Sequence, residues 1–131
     1  MAATRREARE RALGLCYELD LRDLDAETLL ASQAAPPDEY AQQLLRGVTA
    51  HHTEIDDLLR KFSERWALER MPVVDRALLR IAAYELGWEP DVPSAVVISE
   101  AVDIAKQYST KDSGRFVNGL LSRVAEELRP S

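Results

Sequence analysis

The stretch that decides the fold is MPVVDRALLRIAAYELG, residues 71–87. Five of its residues recur three and four positions apart, which is the spacing of one face of an α-helix. Further residues widen that face, so we expect this helix to pack against several others at the centre of the fold. Pro72 suits a first helical turn, and Gly87 suits the left-handed position just after a last turn. The face consists of Val74, Leu78, Ile81, Ala82 and Glu85, widened by Ala77, Tyr84 and Trp88.

Length and composition predict one ordinary domain over residues 1–131. Of these 131 residues, 46% are hydrophobic, which is enough for a packed core. No apolar run reaches the roughly 18 residues of a membrane-spanning helix. The arginine-rich N-terminus is not followed by the apolar segment of a secretory signal, and the single cysteine, Cys16, excludes an internal disulfide. We therefore expect a cytoplasmic protein that does not contact membranes.

The charge is unevenly distributed along the chain. The formal net charge is −6. Residues 1–11 hold four arginines and two glutamates, so they carry +2 and the remainder of the chain carries −8. A basic N-terminal segment on an acidic body predicts an anionic partner for the segment and a basic partner for the body. Charge alone equally allows simple solvation of both.

Helices are also predicted before the central stretch, each opened by a capping residue. Thr4 begins a Thr-x-x-Glu capping box at the start of the first helix. Asp25 can cap a short second helix, and Asp38 can cap a third. The apolar stripe that begins there continues over residues 40–62. It fits either one helix or two helices with a kink near Gly47.

Two more helices are predicted after the central stretch. Pro93 opens one that runs to about Tyr108, and the other lies between the polar turn at 109–114 and Pro130. Gly119 inside the last helix indicates close packing of another helix. No stretch shows the alternation of a strand, so the fold class is all-α. The core face of the helix after Pro93 is predicted to be Val97, Ala101, Ile104 and Ala105.

Signals for catalysis are weak in this sequence. His52 and Asp56 share a helix face and would give two metal ligands, but a closed metal site needs three or four. Cys16 lies on an apolar face without a nearby histidine, which favours a core thiol over a nucleophile. No glycine-rich phosphate loop or serine-nucleophile motif is present. The residues therefore favour a protein that is not an enzyme and holds no metal or cofactor.

Arginines are concentrated in the first two turns of the first helix. Arg5, Arg6 and Arg9 lie there, with Tyr17 further along the same flank. The arginine fork binds phosphate and stacks on bases, which suits single-stranded RNA. Two interleaved glutamates weaken this interpretation, and a solvated, well-capped helix is the alternative.

Five sequence blocks resemble those of a known protein family, in the same order. They are RREARERALGLCYELD at 5–20, LLRGV at 44–48, RW-LER-PVVDRALLRIAAYEL at 65–86, DVPSAVVISEAVDIAK at 91–106 and STKDSGRFVNGLL at 109–121. The DVP, EAV-x-x-AK and DS-x-x-FVNG elements of the last two blocks are highly specific, whereas residues 22–38 match poorly. On these blocks the chain resembles the NusB family of bacterial transcription antitermination proteins.

The resemblance implies a compact all-helical fold of about seven helices in two packed sub-bundles, without catalysis. Members of the family bind boxA, a short single-stranded element in ribosomal RNA leaders. They bind it together with the small-subunit ribosomal protein NusE. The pair joins other Nus factors and RNA polymerase and suppresses premature termination in ribosomal RNA operons.

The resemblance also implies two RNA-binding surfaces. The arginine-rich motif of the family falls on Arg5, Arg6 and Arg9, where Glu7 interrupts the usual run of three arginines. The second RNA surface is the turn before the last helix, where backbone N–H groups can bind phosphate and an aromatic ring can stack on a base. Core packing explains that aromatic residue, Phe116, equally well. The second surface consists of Lys111, Asp112, Ser113 and Phe116.

The resemblance also implies a separate face on this chain that binds the ribosomal protein. It lies near Tyr17, Asp75 and Arg76, on the first helix and the central helix. Asp75 and Glu85 can pair with a basic partner, as the acidic charge of the body also suggests.

Three other interpretations remain open at this point. NusB-like domains also occur in front of ribosomal RNA cytosine methyltransferases, although this chain carries no cofactor-binding domain. A homodimeric structural protein would hide the arginines in its interface. A metal-dependent enzyme would use His51 and His52.

Overall fold

The computed structural model describes residues 3–63 and 67–130 of the chain. These residues form seven α-helices and one short 3₁₀ helix, Leu68–Arg70, with no strand among them. Residues 65 and 66, which belong to one of the matched sequence blocks, lie outside the described residues. The helices are α1 (Arg5–Leu21), α2 (Ala26–Ala31), α3 (Glu39–Ala50), α4 (His52–Phe62), α5 (Val73–Trp88), α6 (Ser94–Tyr108) and α7 (Ser113–Leu128).

Helix α5 lies at the centre, as the width of its apolar face predicted. It contacts α1 and α3 on one side and α4, α6 and α7 on the other. Helices α1, α2 and α3 pack together as one group, while α6 and α7 pack closely in the second group. The all-α class and the two packed sub-bundles are therefore confirmed. Among the described helices, none combines the length and the apolar character needed to cross a membrane.

Local capping explains where the first three helices begin. The backbone N–H of Glu7 donates to Thr4 Oγ1 at 3.0 Å, and the N–H of Thr4 donates to Glu7 Oε1 at 2.9 Å. Asp25 accepts from the N–H of Thr28 at 2.7 Å, and Asp38 caps α3 in a similar way. Each cap satisfies N–H groups that a helix start leaves unpaired. The predicted starts of these helices are confirmed.

The stripe at residues 40–62 forms two helices, and the break lies at His51 rather than near Gly47. The His51 ring stacks on Trp88 of α5, with 4.2 Å between ring centroids. Gly47 instead marks a close helix contact. A Cβ atom added to it would lie 2.2 Å from Cε1 of Tyr84.

Two expectations about glycines are wrong. A Cβ atom at Gly119 would meet only the end of the Arg123 side chain, at 4.0 Å, so Gly119 is not a close-packing site. Gly87 lies inside α5 and has no left-handed backbone. The end of α5 is stabilised differently, because the guanidinium of Arg129 donates to the carbonyl oxygens of Glu85 and Leu86 at 3.1 and 2.9 Å. These hydrogen bonds satisfy carbonyl groups at the helix end that accept from backbone N–H groups where a helix ends in a glycine C-cap.

Candidate nucleic-acid interface

The three arginines of the N-terminal motif point to three different helices. Arg5 is exposed, and its guanidinium carbon lies 3.7 Å from the centroid of the Tyr40 ring on α3. Arg6 turns toward acidic residues of α6, and Arg9 turns inward to α5. The motif therefore does not form one continuous arginine surface, because each side chain has its own partner.

Arg9 and Glu85 form a buried ion pair. Their side chains are joined by two hydrogen bonds of 2.9 Å, and only 4% of Arg9 and 1% of Glu85 is exposed. The Tyr40 hydroxyl donates to the same carboxylate at 2.6 Å. Burial is the largest single influence and opposes the charge on Arg9, but the hydrogen bond and the charge of Glu85, with smaller contributions from Tyr40 and Glu100, together raise the pKa of Arg9. The expectation that Arg9 lies on an exposed flank is wrong, as is the expectation that Glu85 faces a partner.

Arg6 is held at the surface by two carboxylates of α6. Its Nε donates to Glu100 Oε2 at 2.6 Å, and its Nη2 donates to Asp103 Oδ2 at 3.2 Å. The hydrogen bond to Glu100 raises the pKa of Arg6, so its charge is permanent. About a third of the Arg6 side chain, 33%, remains exposed.

The turn between α6 and α7 is fastened to the first turn of α5. The hydroxyl of Ser113 donates to Asp75 Oδ2 at 2.9 Å, and the hydroxyl of Ser109 donates to the other oxygen of the same carboxylate. Asp75 and Ser113 are both buried. The expected contact of Asp75 with a partner, and of Ser113 with RNA, is thus replaced by internal hydrogen bonds. Asp75 positions the turn.

Exposed cations surround this turn. Lys111 is exposed as expected, and so are Lys106, in the last turn of α6, and Arg115, in the first turn of α7. Within the described part of the chain, none of the three has an ion-pair partner. Lys106 and Arg115 were not singled out from the sequence, although both lie in the two most specific family blocks. Asp112 is exposed, and Phe116 is half-buried against the core.

Tyr17 lies away from the arginines, in a groove between α1, α5 and α6. The groove has a volume of about 320 Å³ and is mostly apolar. Tyr17 and Tyr108 are its exposed aromatic residues, and the Tyr108 hydroxyl donates to Glu10 at 3.0 Å. Arg76 lies near the same end of α5, where it donates to Asp20 at 2.6 Å. We refer to the residues lining this groove as the tyrosine groove: Glu10, Leu13, Gly14, Tyr17, Val74 and Tyr108.

The residues considered for catalysis have internal partners. His52 Nε2 lies 3.2 Å from Asp56 Oδ2, and Asp56 also accepts two hydrogen bonds from Arg80. Over the described residues, no group of three or more histidine, cysteine or acidic side chains is placed to hold a metal ion. Burial raises the pKa of the Cys16 thiol to about 12, so the thiol stays protonated at neutral pH.

Together these features define an all-helical protein with a cationic surface at the α6–α7 turn and an apolar groove beside it. Residues 6–126 match the model of the NusB family, and the chain belongs to that family. It is 52% identical over 127 residues to the transcription antitermination protein NusB of Saccharopolyspora erythraea, covering 92% of this chain and 86% of the relative.

Solved structures of similar fold agree with this assignment. T. maritima NusB is 39% identical with a TM-score of 0.88, over 99% of this chain and 96% of that chain. A crystal structure of the antitermination factors NusB and NusE in complex with dsRNA contains a chain that is 28% identical, with a TM-score of 0.80. That match covers 94% of this chain and 96% of that chain.

Proposed function

We propose that this protein is a transcription antitermination factor that binds boxA-type single-stranded RNA together with NusE. The observation that carries the proposal is the set of exposed cations at the α6–α7 turn, none of which is neutralised within the described residues. Single-stranded RNA is recognised through phosphate contacts and base stacking, and such a surface supplies the phosphate contacts. The cations are Lys106, Lys111 and Arg115.

The arginine motif extends this surface along α6. Long side chains connect α1 and α6 at two places, Arg6 with Asp103 and Glu10 with Tyr108. Lys106 is one helical turn beyond Asp103, the partner of Arg6, and this spacing supports one strip of surface from Arg6 to the turn. RNA lying along this strip would contact Arg5 and Arg6 at one end and the turn at the other. Binding by few cations on an acidic protein is expected to be weak and sensitive to salt.

The tyrosine groove is proposed as the NusE surface. Tyr17 and Tyr108 are aromatic and exposed, a combination that is common in protein interfaces. Because Asp75 and Glu85 are buried, the acidic contacts to a basic partner would come from other acids near the groove. One of them is the half-exposed Glu18, which pairs with Arg22. A second weak binding site for RNA on NusE would make the joint complex cooperative.

The proposal assigns binding and no catalysis to this chain. Recruitment of other Nus factors and of RNA polymerase would follow from the RNA–NusE complex. The proposed site of action is bacterial transcription, which takes place in the cytoplasm.

Fluorescence anisotropy of a labelled boxA-type RNA tests the proposal. The protein is titrated alone and with NusE at two salt concentrations, and an unrelated RNA of equal length is the control. We expect the protein alone to bind the boxA-type RNA weakly and the protein with NusE to bind it more tightly. Both affinities are expected to fall at the higher salt concentration. Equal binding of the two RNAs, or no effect of NusE, would contradict the proposed function. A sizing column run with and without RNA would reveal a homodimer that hides the arginines.

Lys111→Gln tests the turn directly. We expect uniformly weaker RNA binding and a salt dependence reduced by about 0.7 in the log–log slope, which is the loss of one phosphate contact to single-stranded RNA. Lys61→Gln is the matched control, because Lys61 pairs with Glu127 at the far end of α7. If the two variants bind RNA equally, Lys111 makes no phosphate contact.

A further inference from the structure

Glu100 occupies a position between two arginines of the motif. Its Oε2 atom accepts from Arg6, while its Oε1 atom lies 3.6 Å from Nη1 of Arg9. Asp103, one turn further along α6, also contacts Arg6, at 3.2 Å. Arg6 is therefore bound to two carboxylates in the protein without RNA.

We propose that Glu100 and Asp103 form an internal counter-anion for Arg6 that an RNA phosphate must displace. This proposal rests on the proposed RNA-binding function and names the residues that set its affinity. A phosphate and a pair of carboxylates present similar oxygen acceptors to the guanidinium fork, so the two compete for the same donors.

The structure allows this exchange without leaving a buried charge unpaired. Arg6 is 33% exposed, so a phosphate can reach it from solvent. When Arg6 leaves, Glu100 retains Arg9, which Glu85 holds in place through two hydrogen bonds. Asp103 is 56% exposed and regains water. Breaking the contact therefore avoids the large cost of an unpaired charge in the interior.

The consequence is a lower affinity for every RNA that uses Arg6, which an RNA offsets only by making further contacts. An RNA that reaches only the arginine motif gains one phosphate contact and loses the carboxylate contacts of Arg6. An RNA that also contacts the α6–α7 turn adds phosphate contacts that meet no such competition. The acidic pair thus lowers affinity for short or misplaced RNA.

Glu100→Gln tests the competition, with RNA binding measured by anisotropy for the boxA-type and the unrelated RNA. Removing the competing charge is expected to tighten binding of both RNAs by about two- to fivefold, which corresponds to the free energy of a partly exposed ion pair. Glu126→Gln is the matched control, since it removes the same charge from an exposed position at the far end of α7. Asp103→Asn, which leaves Glu100 with Arg9, is expected to act in the same direction.

Glu100→Gln in an Arg6→Ala background distinguishes an effect that acts through Arg6 from a general effect of the lost negative charge. If the competition acts through Arg6, Glu100→Gln changes RNA affinity little in that background. A gain that persists there, a gain equal to that of Glu126→Gln, or weaker binding by Glu100→Gln would overturn the proposal.

Failure of the proposed function has a different signature. It would appear as equal affinity of the parent protein for the boxA-type and the unrelated RNA, whereas the competition predicts a gain for both. Should the parent bind neither RNA, the NMR signal of the Arg6 Nε–H group is followed during titration with inorganic phosphate. Glu100→Gln should then respond at a several-fold lower phosphate concentration, and an equal response would refute the competition.

Discussion

At the scale of single residues, close contacts decide which positions tolerate a larger side chain. Gly47 and Gly119 both lie inside helices, and neither has a left-handed backbone. Only Gly47 faces a ring at short distance, because Tyr84 occupies the space of its missing Cβ. Tyr84 cannot move freely, since its hydroxyl donates to Glu89 at 2.6 Å.

The two glycines should therefore respond oppositely to alanine. Gly47→Ala is expected to lower the free energy of unfolding by about 1–3 kcal/mol, because the methyl group displaces the Tyr84 ring. Gly119→Ala is expected to raise it by about 0.5–1 kcal/mol, because alanine favours the helix and meets open space. Urea unfolding followed by circular dichroism measures both. Equal effects of the two changes would show that the Tyr84 contact does not matter.

At the scale of elements, the start of α1 depends on its capping box. Glu7 accepts from the backbone and hydroxyl of Thr4, and these hydrogen bonds hold the pKa of Glu7 below its ordinary value. A carboxyl group with a lowered pKa in the folded state stabilises the protein above its ordinary pKa. That contribution is lost as the pH falls through the lower, folded-state value.

Thr4→Ala should remove the side-chain cap and reduce this pH dependence, while the backbone N–H of residue 4 still donates to Glu7. The loss at neutral pH is expected to be about 1 kcal/mol, as for other N-caps. The difference between the parent and Thr4→Ala should shrink as the pH falls below about 4.5, the ordinary pKa of Glu7. Thermal unfolding at several pH values measures this, with Thr53→Ala inside α4 as the control. A difference that stays constant with pH would show that the Thr4 side chain does not stabilise the Glu7 carboxylate.

At the scale of the whole molecule, a buried ion pair joins the first helix to the central helix. Arg9 of α1 and Glu85 of α5 are 76 positions apart, and Tyr40 of α3 completes the cluster. Removing one partner of a buried pair leaves an uncompensated charge in the interior, which costs more than the pair itself contributes.

Arg9→Met should accordingly lower the free energy of unfolding by about 3–5 kcal/mol. The double variant with Glu85→Gln should lose less than the sum of the two single variants, because no charge is then left alone. Glutamine also keeps an acceptor for the Tyr40 hydroxyl. Chemical unfolding of the four proteins forms the double-mutant cycle, and additive losses would contradict the coupling.

Local sequence patterns predict the helices and much of the core. The four residues predicted for the core face of α6 are buried: Val97, Ala101, Ile104 and Ala105. Thr4, Asp25 and Asp38 cap the first three helices as expected. These features depend on residues within about one helical turn of each other, so spacing alone reveals them. The exposed position of Lys111 also followed from the family pattern.

The packing of helices that are distant in the sequence determines which charged residues are internal. Charged residues such as Arg9, Asp75 and Glu85 are usually exposed, yet these three are buried, because their partners come from other helices. The end of α5 was set in the same way, by Arg129 rather than by Gly87. The physical reason is that a buried charge is stable only beside its counter-charge. Which side chains meet depends on how distant helices pack, and local spacing carries no information about that.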